Sequence, residues 1–204
     1  MRSGHPTIRA ALVWGALAAA LGMPLAVAAT SPLLEWRQPP YIAAGLAGVI
    51  SLGLLLVQPL LADGLLPGLP PGRSRRLHAA LGAGLVLLIA VHVGGLWITS
   101  PPDVIDVLLL RSPTPFAVWG LLALVSGLGA GLLAALRRRM RPRVWRPLHS
   151  ALAASTVLGT VIHAVLIEGT MGPITKGVLC LLALAATAGV IAHRRAWTGL
   201  LRRR

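Results

Sequence analysis

Long apolar runs, separated by short polar or charged stretches, are the dominant pattern along this chain. They occupy residues 10–29, 41–61, 77–99, 116–136, 148–167 and 173–192. A helix needs about 20 mostly apolar residues to cross the hydrocarbon core of a membrane, and each run has that length. The pattern therefore predicts an all-α integral membrane protein, a bundle of six transmembrane helices joined by short connections.

The first run has two interpretations. Arg2 and Arg9 precede it, and Ala26-Val27-Ala28 near its end resembles the small-residue cleavage site of a signal peptide. The bundle has six spans if this helix is retained and five if it is removed. We favour retention because residues 10–29 are long enough to cross the membrane.

Composition agrees with a membrane protein and excludes other classes. Of the 204 residues, 56% are hydrophobic and 12% are charged, whereas soluble domains carry about 25% charged residues. The apolar content also excludes intrinsic disorder. Six spans leave only short loops and tails, too little for a soluble catalytic domain of about 50 residues or more.

The charges indicate the orientation of the chain. Sixteen of the nineteen Lys and Arg residues fall in the two tails and in the loops after spans two and four, and three fall in the other loops. This asymmetry is the positive-inside pattern and predicts that both termini are cytoplasmic. It accounts for the net charge of +14 without nucleic-acid binding. Four of the five acidic residues lie on the opposite, outer side: Glu35, Asp103, Asp106 and Glu168.

Four of the six histidines form two matched pairs within spans. His78 and His92 lie in span three, and His149 and His163 lie in span five. Each pair is separated by 14 residues, which is close to four helical turns, so both members face the same way about 21 Å apart along the axis. Because spans three and five run in the same direction, His78 and His149 share the inner level of the membrane. His92 and His163 share the outer level.

Two imidazoles that face each other at one depth suit the two axial positions of a haem iron. The sequence therefore predicts two haems, an inner one between His78 and His149 and an outer one between His92 and His163. Residues 75–92 and 146–163 align without gaps and share nine of 18 positions, as if one ligand-bearing helix were used twice. We expect the small residues Gly82, Ala153 and Gly159, each one turn from a ligand, to leave space for the macrocycle.

Other residues near the spans have simpler assignments. Arg75, Arg76 and Arg146 precede the inner ligands and are candidates for binding haem propionates, although positive-inside anchoring alone also explains them. His5 and His193 are treated as surface residues. The tryptophans near span ends are interpreted as interface anchors: Trp97, Trp119, Trp145 and Trp197.

These motifs resemble the ferric reductase-like transmembrane domain. The resemblance rests on Arg75-Arg76-Leu77-His78 with His92, and on Trp145-Arg146-Pro147-Leu148-His149 with His163. The domain is shared by ferric reductases, NADPH oxidases and the haem-binding membrane subunit of the periplasmic methionine sulfoxide reductase system. The chain is similar to that subunit in size, but the subgroup often lacks the ligand that His78 supplies. The four-histidine set therefore favours the general ferric reductase-like type.

The resemblance implies a haem b protein that passes electrons from the cytoplasmic to the outer face of a membrane, which we expect to be a bacterial inner membrane. The chain ends at Arg204, directly after span six, so we expect no flavin- or nicotinamide-binding domain and no catalytic residue of its own. The implied donor is a separate cytoplasmic flavin reductase or a quinol. The implied acceptor is ferric iron, dioxygen or a partner oxidoreductase on the outer face.

We accordingly divide the chain into three parts: residues 1–40 as amino tail, first span and outer loop, residues 41–193 as the haem-binding bundle, and residues 194–204 as a basic cytoplasmic tail. Two alternatives stay open at this stage. One is the cytochrome b subunit of a quinone-linked dehydrogenase. The other is a haem-free transporter that uses the histidines as proton or metal relays. The arginine-rich loop from Arg137 to Arg146 either fixes topology alone or also docks an acidic donor.

Overall fold

The computed structural model describes the backbone from residue 5 to residue 201 and the side chains from residue 7 to residue 194. The described residues form helices and loops and contain no β-strand. The helices are α1 (His5–Ala29), α2 (Pro39–Ala62), α3 (Pro71–Thr99), α4 (Pro101–Leu108), α5 (Ala117–Leu136), α6 (Pro142–Leu166) and α7 (Pro173–Leu201). Two short 3-10 turns, Pro32–Leu34 and Arg137–Arg139, lie in the connections.

Six of these helices are long and apolar enough to cross a membrane, which confirms the predicted all-helical membrane bundle. The helices differ from the predicted runs mainly at their ends. α7 extends to Leu201, nine residues beyond its predicted run, and α3 and α6 begin at Pro71 and Pro142, one to two turns before theirs. Proline is favoured in the first turn of a helix because it has no N–H to leave unsatisfied there. The charged residues that follow each proline are helical, but they fall outside a prediction based on apolar runs.

The short helix α4 was predicted only as a loop. Its first turn is stabilised by the hydroxyl of Ser100, which donates a hydrogen bond to the carboxylate of Asp103. Asp103 also places a negative charge at the positive end of the helix dipole. α4 packs against α3 and α5 and so connects these two helices.

The apolar core is centred on α2. Leu52, Leu55 and Leu56 of α2 pack against residues of α6 and α7 that include Val157 and Leu179. Half of the apolar window of α2 is buried, against 6% for α3, so α2 is the central support and α3 lies at the periphery. α1 packs against α2 and α7.

The bundle contains two close helix pairs, α2 with α3 and α5 with α6. Glycines make both contacts tight. A β-carbon on Gly95 of α3 would lie 2.5 Å from the carbonyl oxygen of Pro40, and one on Gly159 of α6 would lie 2.9 Å from that of Trp119. Gly159 therefore seats α6 against α5, which corrects the expectation that it leaves space for a macrocycle.

Candidate functional site

The four predicted histidines lie on α3 and α6, and all four side chains are half-buried. α3 packs on α2 and α5, whereas α6 packs on α5, α7 and α2. Within the described residues, α3 and α6 make almost no close backbone approach to each other. Their histidines are therefore carried by two helices that are held apart by their neighbours. We call His78 with His149 the inner pair and His92 with His163 the outer pair.

The inner pair is brought together by the fold. The ring centres of His78 and His149 lie 6.4 Å apart, and their planes are inclined by 81°. A metal–imidazole bond of about 2 Å, together with about 1 Å from the ring nitrogen to the ring centre, places two axial imidazoles of one metal about 6 Å apart. The separation of this pair fits axial ligation of a haem iron.

The outer pair is oriented by backbone carbonyls of the neighbouring helices. Nδ1 of His92 donates to the carbonyl oxygen of Ala44 on α2 at 2.8 Å. Nδ1 of His163 donates to the carbonyl oxygen of Phe116, just before α5, at 2.9 Å. Because a carbonyl can only accept, Nδ1 carries the hydrogen, and Nε2 of each neutral imidazole keeps a lone pair for a metal.

The same arrangement recurs at the inner level. Nδ1 of His78 donates to the carbonyl oxygen of Gln58 on α2 at 3.2 Å, and Gln58 Nε2 donates back to the carbonyl of His78 at 3.4 Å. Gln58 and Ala44, the two acceptors on α2, are themselves 14 residues apart. α2 therefore presents one carbonyl to each histidine of α3, at the spacing of the histidines themselves.

His149 is the exception. The carbonyl of Ala130, 14 residues after Phe116, acts on its imidazole from the equivalent position on α5. However, Nδ1 of His149 is buried and has no hydrogen bond of ordinary geometry to any described residue. The ring is instead stacked on the indole of Trp145, with centres 5.1 Å apart and planes inclined by 12°.

The contacts of Trp145 with the inner pair were not predicted from the sequence, which assigned this residue to the membrane interface. Its indole Nε1 donates to the carbonyl oxygen of Leu133 on α5 at 2.8 Å, which fixes the ring against His149. The indole is half-buried and makes both contacts within the bundle, so it also packs against a candidate ligand. Its position one turn before His149 on the same helix was the available signal.

Two glycines provide space for the outer imidazoles. A β-carbon on Gly48 of α2 would lie 3.0 Å from Nδ1 of His92, and one on Gly120 of α5 would lie 2.7 Å from Nδ1 of His163. Gly48 is one turn after Ala44, and Gly120 is one turn after Phe116. On both helices, the carbonyl that orients the ring is thus followed by the glycine that gives it space.

The remaining predicted residues are less involved. Arg75, Arg76 and Arg146 are exposed, on the first turns of α3 and α6, and propionate binding by them stays a prediction. Gly82 faces Gln58, since a β-carbon on this glycine would lie 3.6 Å from Nε2 of the side-chain amide. The side chains of His5 and Trp197 lie outside the described residues.

His193 is exposed, as predicted, but it also has a partner. Its Nδ1 contacts Oδ2 of Asp63 at 2.9 Å, and the neighbouring Arg194 donates from Nε to Oδ1 of the same carboxylate at 3.0 Å. Asp63 ends α2, so this cluster joins the inner ends of α2 and α7.

Among the described residues, no three His, Cys, Asp or Glu side chains converge on a point that could hold a metal ion. A pair of imidazoles supplies only two ligands. The pairs therefore fit a metal that brings its other ligands with it, as a haem iron does. The chemistry of the donor set and the spacing of the inner pair both agree with haem.

A comparison with protein-family models gives one match, to the ferric reductase like transmembrane component, over residues 44–160. The chain belongs to this family. The ferric reductase-like match begins at Ala44, the acceptor for His92, and includes three of the four histidines; His163 lies three residues beyond its end. No curated protein and no solved structure matches the chain. Ferric reductase-like domains generally bind haem, and membership suggests transmembrane electron transfer.

Proposed function

We propose that this protein conducts electrons across the membrane through two b haems, one held by His78 and His149 and the other by His92 and His163. The observation that carries the proposal is the inner pair, whose ring centres are 6.4 Å apart on helices that otherwise stay separate. Membership in the ferric reductase-like family supports the same activity.

The chain contributes binding, orientation and exclusion of water. The carbonyls of Ala44, Gln58 and Phe116 hold three imidazoles with Nε2 available to a metal. Hydrogen bonds of this kind also increase the basicity of the ligand. Apolar side chains of the core keep the surroundings at low dielectric. A bound haem supplies a one-electron couple between its ferric and ferrous states.

The direction of transfer follows from the distribution of charge. The inner pair lies at the end of the bundle that carries most of the arginines, which the positive-inside rule places in the cytoplasm. We propose that a cytoplasmic flavin reductase or a quinol donates at this end. The acceptor on the outer face is ferric iron, dioxygen or a partner oxidoreductase. The surrounding membrane is a bacterial inner membrane in this proposal.

The experiment is a measurement of haem content on protein purified from cells with sufficient haem. We expect two b-type haems per chain in the wild type. His92→Ala and His163→Ala should each reduce haem content by about half and leave the same haem behind, because each variant removes one ligand of the outer pair. His78→Ala and His149→Ala should each leave the other haem.

His5→Ala is the matched control, since it removes a histidine of the amino tail, outside both pairs, and should retain both haems. A colourless wild-type preparation would refute the proposal and favour histidine relays. Loss of both haems or of neither in the His92→Ala protein, with the control intact, would refute the pairing.

A further inference from the structure

Asp63 is an acidic residue in an unfavourable place. It directly follows the last residue of α2, where the helix dipole is negative and repels a carboxylate. Its side chain is only 12% exposed, so water solvates the negative charge poorly. The cost of this position indicates that the carboxylate has a purpose beyond ending the helix.

Two residues of α7, His193 and Arg194, stabilise the negative charge of Asp63. Arg194 Nε donates to Oδ1 of Asp63 at 3.0 Å, and Arg194 Nη2 donates to the carbonyl oxygen of Ala62 at 2.8 Å. Nδ1 of His193 contacts the other carboxylate oxygen, Oδ2 of Asp63, at 2.9 Å. The guanidinium thus satisfies both a carboxylate and one of the free carbonyls at the end of α2. Two independent bonds fix the position of Arg194.

This position is next to the inner pair. The carbonyl of Gln58, which accepts from His78, is one helical turn before the carbonyl of Ala62, which accepts from Arg194. The guanidinium of Arg194 is therefore held one helical turn from the acceptor of His78. Arg75, Arg76 and Arg146, the cations favoured by the sequence, are exposed on the helices that carry the ligands.

We propose that Arg194, held in place by Asp63 and by the carbonyl of Ala62, acts together with the carboxylate of Asp63 as a pair of opposite charges that set the reduction potential of the inner haem. This inference rests on the proposed function. Reduction adds one electron to the haem, and a nearby cation stabilises the added negative charge while a nearby carboxylate opposes it. The outer haem lies about 21 Å farther along the helices, so both charges act on it more weakly.

The test uses two substitutions that break the same ion pair. Arg194→Gln removes the positive charge and should lower the midpoint potential of the inner haem. Asp63→Asn removes the negative charge and should raise it, because the bond from Arg194 to Ala62 keeps the guanidinium in place. We expect the reduction equilibrium of the inner haem to change about three- to tenfold in each case, which is about 30 to 60 mV for a one-electron couple. Arg194→Lys should restore most of the wild-type potential.

Shifts of opposite sign in the midpoint potential of the inner haem distinguish electrostatic control from a structural role of the ion pair. If the ion pair only fastened α7 to α2, both variants would change the potential in the same direction or would only lower thermal stability. Either outcome, or an equal shift of the outer haem, would overturn the inference. Arg138→Gln is the matched control, since it removes an exposed inner arginine and should leave both potentials unchanged.

The inner haem is identified as the one that remains in the His92→Ala protein, and its potential is measured by an optical redox titration of the purified full chain.

Haem content and midpoint potential separate a failure of this proposal from a failure of the proposed function. Wild-type protein without haem refutes both. Two haems whose potentials do not respond to the two substitutions with opposite signs refute the inference alone.

Discussion

Gly120 lies against the imidazole of His163 so closely that a β-carbon at this position would be 2.7 Å from Nδ1 and 2.8 Å from Cε1 of the ring. The same ring donates its Nδ1 hydrogen to Phe116, one turn earlier on the chain. The ring therefore cannot retreat from an added methyl group without losing its hydrogen bond. The glycine and the carbonyl fix the outer imidazole together.

Gly120→Ala should accordingly displace His163 and remove the outer haem while the inner haem remains, so that haem content falls by about half. Gly48→Ala should have the same effect in weaker form, because its β-carbon would lie 3.0 Å from His92 and a small shift of the ring relieves the contact. Haem content and the absorbance spectrum of the purified variants measure both effects. Gly45→Ala is the control, since nothing lies within 4 Å of its β-carbon; a full haem complement in Gly120→Ala would contradict the prediction.

Trp145 should determine how firmly the inner haem is held. Trp145→Ala removes the ring that stacks on His149, an interaction worth about 0.5–1.5 kcal/mol, so haem affinity at the inner site should fall about two- to tenfold. Trp145→Phe keeps a stacking ring but loses the bond to Leu133 and should show a smaller loss. The measurement is transfer of haem to an excess of apomyoglobin. Trp36→Ala, which alters a fully exposed indole, should behave as the wild type, and so would Trp145→Ala if the stacking had no role.

The contact between α5 and α6 contains a buried hydroxyl pair that should contribute to stability and not to haem binding. Thr156 Oγ1 donates to Ser126 Oγ at 3.1 Å. Replacing Thr156 with Val should lower the free energy of unfolding by about 0.6 kcal/mol, and by no more than about 2 kcal/mol, as for other hydrogen bonds between membrane helices. Unfolding in SDS measures the change. Ser155→Ala, at the adjacent residue, is the control; equal stability of the two variants would contradict the assignment.

The predicted orientation is tested by labelling with a membrane-impermeant maleimide on intact cells. In a Cys180→Ser background, a cysteine at Asp103 should react and a cysteine at Arg138 should react only after lysis. The physical reason is the excess of cations in the tails and in the loops after spans two and four. Labelling of position 138 in intact cells would reverse the orientation and, with it, the direction of electron transfer that we propose.

The hydrophobic pattern predicted the six spans, and the histidine motifs indicated the family, because both depend on short stretches of sequence. The ends of α3 and α6 were predicted less well, since a charged first turn interrupts an apolar run even where Pro71 and Pro142 begin the helix. An indole near a span end is usually an anchor, although the spacing of Trp145 and His149 along α6 allows their rings to stack. The bond from Trp145 to Leu133 depends on the packing of α5 and could not be predicted.

The depth and direction of the four histidines can be read from their spacing alone, because 14 residues on a regular helix return a side chain to the same face four turns later. What each imidazole contacts depends instead on how the helices pack. The carbonyls of Ala44, Gln58 and Phe116 belong to helices other than those of the histidines they orient, and Asp63 meets Arg194 across 131 residues of sequence. Backbone carbonyls are present at every residue, so no sequence pattern distinguishes the ones that helix packing brings to a ligand.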